Sequence, residues 1–176
     1  MKRFSTVMLV MATLTTIATV AHGQQALTKD QIIGTFKLLS FYDESVATGK
    51  RTNVFGENPR GYLILTRDER IALIHVAASR EGPKSLPPTD TEAAGLFKSM
   101  LAYIGKYEID PTPPTAAGTK IILRAEIASN PLIEGRDRGF FLRVDGDKLI
   151  FKTNPPAPSP LTGEVSTRNA ISERVQ

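Results

Sequence analysis

The chain has 176 residues, 41% of them hydrophobic, with no cysteine, no tryptophan and a formal net charge of +4. That length and composition allow one domain with a genuine core. The lack of cysteine excludes disulfides, thiol catalysis, a lipid-anchored lipoprotein and Cys-ligated metal sites, so the fold must rest on its core.

The start of the chain reads as a targeting segment. Lys2 and Arg3 precede an apolar run over 7–20, followed by Ala21-His22-Gly23, which puts small residues at −3 and −1 before Gln24. This layout predicts a secretory signal peptide over 1–23 and a single domain over 24–176, exported to the periplasm or the exterior; a cut after Ala21 is the other option. The run is shorter than the ~20 apolar residues of a spanning helix, so no stable membrane anchor is expected. Loss of Lys2 and Arg3 lowers the formal charge from +4 to +2. No Lys/Arg cluster with interleaved aromatics remains, which argues against a nucleic-acid partner.

From there, short segments with period-2 patterning alternate with turn signals. The stretch 31–43, QIIGTFKLLSFYD, reads as a first strand with Phe36, Leu38, Ser40 and Tyr42 on one face. A polar connection over 44–53 leads to FGENPRGYLILT, which begins as a turn and ends as a strand. Pro59 fixes its own φ and pushes Asn58 toward extended geometry, while Gly56 and Gly61 permit conformations that a side chain would hinder. This corner sets the register of the second strand (60–68), because a one-residue slip would exchange its two faces. RDER is a tight turn into the third strand (70–79).

The stretch 80–90 is rich in proline and polar residues and ends in a helix-start signal at Thr89, Asp90 or Thr91. A helix is predicted over 92–103, with Leu96, Phe97, Met100, Leu101 and Ile104 as an apolar stripe for core packing. The fourth strand is 105–110, the fifth 120–129 and the sixth 138–144. Asp145-Gly146-Asp147 is a hairpin turn to the seventh (148–153), and a proline-rich loop precedes the eighth (164–174). The expectation is an all-β, eight-stranded antiparallel barrel with one short helix between the third and fourth strands; closure removes exposed strand edges.

Few residues carry candidate chemistry. His75, mid-strand on a face with Ile71, Leu73 and Ala77, reads as a neutral core or cavity histidine, a ligand contact or a general base. With no second histidine near it, it does not make a zinc site. Arg124 and Glu126 read as a same-face pair on the outside. Arg138 shares a face with Phe140 and Leu142, and a buried arginine there needs an anionic partner from the protein or a ligand. No nucleophile elbow, phosphate loop, dinucleotide fingerprint or calcium loop is present, so no cofactor and no catalytic residue are assigned.

Gly34-Thr35-Phe36 resembles the Gly-x-Trp opening of lipocalins, with Phe in place of Trp. GENPRGYLILT, YIGKYEID and FFLRVDGDKLIFKT resemble the bacterial and fungal lipocalin-like domain family, over roughly Ile32 to Arg174. The resemblance implies a lipocalin-type barrel with a ligand cavity and no agreed reaction. With Phe36 pointing inward, the candidate ligand-binding residues are Phe36, Leu38, Tyr42, Tyr62, Ile64, Leu73, His75, Tyr107, Leu123, Arg138, Phe140, Leu142 and Phe151. Three functions stay open: non-catalytic binding of a small hydrophobic or amphipathic molecule, a cofactor-independent isomerase, cyclase or hydrolase in the same cavity, and an interaction module with a filled barrel. The sequence carries no signal for an oligomeric state.

Overall fold

The computed structural model describes residues 26–175. The predicted signal peptide lies outside the described residues. Thr28 starts the short helix α1 (Lys29–Ile32) as one half of a capping box, and Gln31 Oε1 accepts from the Thr28 N–H at 2.8 Å. The helix drives Ile32, with no exposed surface, under the end of the sheet.

Among the described residues ten strands follow: β1 (Gly34–Ser45), β2 (Arg51–Asn53), β3 (Arg60–Leu65), β4 (Arg70–Val76), β5 (Met100–Ile109), β6 (Thr119–Ala128), β7 (Asp137–Asp145), β8 (Lys148–Asn154), β9 (Ala157–Pro158) and β10 (Val165–Arg174). Eight of them pair antiparallel in the order β1-β3-β4-β5-β6-β7-β8-β10, and β10 pairs back onto β1 to close a barrel. The short β2 and β9 extend the rim of β1 and β10. Helix α2 (Asp90–Lys98) lies between β4 and β5.

That helix is shorter than its apolar stripe suggested. Thr89 and Glu92 form the capping box at its start, and none of its residues is buried. Met100, Leu101 and Ile104 belong to β5 instead, where Leu101 pairs with His75 and Tyr103 with Leu73. Residues 100–107 fit both a helical and a strand period, and the ladder offered by β4 decides between them. Of that stripe only Leu101 packs against the core, and it does so from β5: Phe97 is exposed, and Ile104 faces outward.

Three of the predicted inward residues face outward. On β1 the register with β10 shifts between Leu38 and Ser40, a bulge that inserts Leu39 as an extra residue. A bulge reverses the phase of the pleat. Phe36 and Leu38 face inward before it; Phe41, Asp43 and Ser45 do so after it. Tyr42 is thereby turned to the outer face, where the Arg51 guanidinium covers its ring at 4.7 Å. On β3 the inward positions are Gly61, Leu63 and Leu65, opposite His75, Leu73 and Ile71. Tyr62 and Ile64 are consequently on the outside, 46% and 40% exposed. The segment GYLIL is apolar on both faces, so alternation alone does not say which face is inside.

The core fills one end of the barrel. Phe36, Leu65, Ile71, Ile121, Leu123, Leu142 and Leu149 are almost fully enclosed there. Arg174 seals the bottom: its guanidinium lies 4.6 Å over the Phe36 ring and donates to the carbonyls of Ile33 (2.6 Å) and Gln31 (2.7 Å). A single aromatic under a stacked arginine thus plugs a barrel that has no tryptophan. Tyr107 ties β5 to the β3–β4 turn by donating its hydroxyl to the Thr66 carbonyl at 2.9 Å.

Candidate ligand cavity

The other end of the barrel is hollow. An inner chamber of about 160 Å³ is walled by Phe41, Leu73, Tyr103, Phe140, Phe151 and Ala170, with His75, Ser172, Arg138 and Arg168 as its main polar groups. An outer vestibule of about 400 Å³ lies against Asp43, Asp137, Thr153, Ser166 and the proline-rich loop from Pro155 to Pro160. Arg138, Phe140, Thr153 and Arg168 line both spaces, so the two arginines stand where the chamber meets the vestibule.

His75 stands opposite Gly61 on the β3–β4 ladder. It is 1% exposed, packs edge-on against Phe41 at 5.3 Å, and neither ring nitrogen has a hydrogen-bond partner among the described residues. Desolvation lowers its pKa to about 4, which keeps the imidazole neutral near pH 7. A neutral imidazole holds one donor and one acceptor, and leaving them unused in a buried site is costly.

The two arginines differ. Arg168 is committed: its Nε and Nη2 donate to Asp43 Oδ1 and Oδ2 at 2.8 and 2.9 Å. Asp43 also accepts from the Ser159 hydroxyl at 2.6 Å. Burial pushes the Asp43 carboxyl up, but the bonds from Arg168 and Ser159 outweigh it and hold the group below its usual range. This triad fastens the proline-rich loop to the barrel wall. Arg138, by contrast, has no ion-pair partner among the described residues and rests 5.2 Å over the Phe140 ring. Its neighbour Asp137 bonds Arg124 at 2.6 Å on the outer face. Burial pushes the Tyr103 phenol well above its ordinary range, with the nearby Arg138 charge acting in the opposite direction.

Of the residues singled out in the sequence, Leu73, His75, Arg138, Phe140 and Phe151 line the inner chamber. Phe36, Leu38, Tyr107, Leu123 and Leu142 are buried but line neither space; Tyr62 and Ile64 are exposed on the outer face, and Tyr42 lies there beneath Arg51, only 8% exposed. Glu126 bonds Arg70 at 2.5 Å on the outside, and Arg124 bonds Asp137, so these two do not pair with each other. Sequence reasoning missed Phe41 and Asp43, which the bulge hides. It also missed Tyr103 and Arg168. Arg168 had a signal: Ser166, Arg168, Ala170 and Ser172 alternate along β10 as a face of small residues broken by one cation.

A family profile described as a lipocalin-like domain matches residues 33–174, the whole barrel from the foot of β1 to the last residue of β10. The chain belongs to the lipocalin-like domain family. No curated protein matches it. In this lipocalin-like barrel one end is packed with side chains and the other encloses a chamber lined mainly by apolar groups, an arrangement suited to a small hydrophobic ligand.

Proposed function

We propose that this lipocalin-like domain is an exported, non-catalytic binding protein for a small hydrophobic or amphipathic molecule held in the barrel cavity. The observation that carries the reading is His75: a buried, neutral imidazole with two unused hydrogen-bonding nitrogens in the wall of an apolar chamber. A ligand's polar group would satisfy it, and the aromatic walls would take the ligand's apolar body. Neither step needs a cofactor. Export rests on the Lys2-Arg3 start, the apolar run over 7–20 and Ala21-His22-Gly23. N-terminal sequencing of the mature protein should then begin within a residue or two of Gln24; an intact Met1 on protein from the cytoplasm would end that part of the proposal.

Catalysis in the same cavity is the second reading, because His75 and Arg138 line one chamber. Two features weigh against it. With a pKa of about 4, His75 is a weak base, and no carboxylate among the described residues orients its ring.

The test is a paired titration of wild type and His75→Leu with an environment-sensitive apolar dye. Binding should be saturable, and the variant should bind roughly ten-fold more weakly or less, the loss expected for a single neutral hydrogen bond. Absence of saturable binding by wild type would sink the proposal. With any substrate found to turn over, a ~10²–10⁴-fold loss of rate at unchanged affinity would favour catalysis.

A further inference from the structure

Resting on that binding reading, we propose that the ligand is a small, ring-sized carboxylic acid carrying a hydroxyl, with its carboxylate on Arg138 and its hydroxyl on His75. Three independent features define this class.

The first is charge. The charged groups lining the two spaces are Asp43, Asp137, Arg138 and Arg168. Asp43 and Arg168 satisfy each other. Asp137 is held by Arg124, which lines neither space. Among the described residues, Arg138 is left as the lining cation without an ion-pair partner where the chamber opens into the vestibule. A guanidinium is a rigid fork of donors that matches a carboxylate, and one unmatched positive charge calls for a monoanion rather than a dianion.

The second is size. The chamber behind Arg138 is about 160 Å³. That is close to the ~150 Å³ apolar cavity known to admit a benzene molecule. An extended alkyl chain does not fit it, whereas a single ring does. Phe140 and Phe151, with centroids 4.7 Å apart, supply an aromatic wall for that ring.

The third is the polar group in the wall. His75 is enclosed, neutral and without a hydrogen-bond partner at either nitrogen among the described residues. A hydroxyl on the ring can donate to one nitrogen or accept from the other, relieving the orphaned group. A plain apolar ring would leave it unsatisfied. Arg138 would thus select the acid, and His75 would select the hydroxylated member among acids of equal size.

Calorimetric titration with four probes reads both selections: 4-hydroxybenzoate, benzoate, the neutral methyl ester of 4-hydroxybenzoate, and dodecanoate. Wild type should bind 4-hydroxybenzoate best. The methyl ester should bind at least about ten-fold more weakly, since a hydrogen bond to a charged group is worth more than a neutral one. Benzoate should be weaker by roughly ten-fold or less, and dodecanoate weaker than either acid. Arg138→Gln should erase the preference for the acid over its ester. His75→Leu should erase the preference for the hydroxyl and keep that for the acid. Wild type alone decides the charge element through the acid–ester pair, so a poorly folding variant does not rescue the proposal. Ester and acid binding alike would overturn the anion assignment while leaving a binding cavity intact. Tighter dodecanoate binding would overturn the size assignment. If the small acids and the ester fail to bind while an apolar dye does, the ligand class is wrong; if the dye also fails, the binding reading falls with it.

Discussion

Gly61 and His75 face each other across the β3–β4 ladder, and the imidazole occupies space that only a glycine leaves open. A Cβ on Gly61 would overlap the Ile74 carbonyl oxygen and stand 2.9 Å from both the Cα and the Cδ2 of His75. The glycine that ends the Asn58-Pro59 corner is therefore part of the cavity wall. Gly61→Ala should destabilise the fold by about 2–3 kcal/mol, more than the ~1 kcal/mol of an ordinary substitution, because backbone as well as side chain must move. Overlapping denaturation curves for wild type and variant would remove Gly61 from that role.

His75 makes the fold acid-sensitive. Its folded pKa of about 4 lies below the ordinary 6.5, so the unfolded chain binds more protons between those values. Stability then rises with pH across that window and is lost as the pH falls from 6.5 toward 4, by up to about 3 kcal/mol. His75→Leu removes this slope. It should also raise the stability of ligand-free protein at pH 7 by ~1 kcal/mol or more, since it deletes an unsatisfied buried polar group. Urea melts of both proteins at pH 7 and pH 4.5 supply the check; parallel pH dependence would show that His75 is not the titrating group.

The proline-rich loop depends on one carboxylate. Asp43→Asn would leave Arg168 without its charge partner and weaken the bond to Ser159. A loss of roughly 3 kcal/mol is expected for breaking an enclosed ion pair. Proteolysis should also quicken within 155–163, where the loop is freed from the wall. Equal cleavage rates in wild type and variant would show that the triad does not fasten it.

The faces of β3 are open to direct measurement. Leu63→Ala should cost about 3 kcal/mol, the loss for truncating an enclosed leucine. Ile64→Thr, one residue along, should change stability by less than ~0.5 kcal/mol because Ile64 faces outward and is 40% exposed. The reverse ranking by thermal denaturation would return the strand to the opposite register.

Strand positions and barrel closure are legible in the sequence because alternating segments and turn residues act locally. Facing is legible only where one face is polar. On β7 the faces stand apart: Arg138, Phe140 and Leu142 lie inward, opposite Asp137, Arg143 and Asp145. On β3 both faces are apolar, and on β1 the Leu39 bulge interrupts the alternation midway. Tyr42, Tyr62 and Ile64 are misplaced for these two reasons. The Asp43–Arg168 pair joins residues 125 positions apart. It exists only because β10 closes onto β1, a long-range pairing that no local pattern encodes.

The hollow end of this lipocalin-like barrel is proposed to hold a small molecule. Native mass spectrometry of the protein purified from its own host, compared with the same sample denatured, tests this most directly. The expected result is a native mass above that of the polypeptide by one small molecule, lost on denaturation and reduced in occupancy in His75→Leu. A native mass equal to that of the bare polypeptide would contradict the claim.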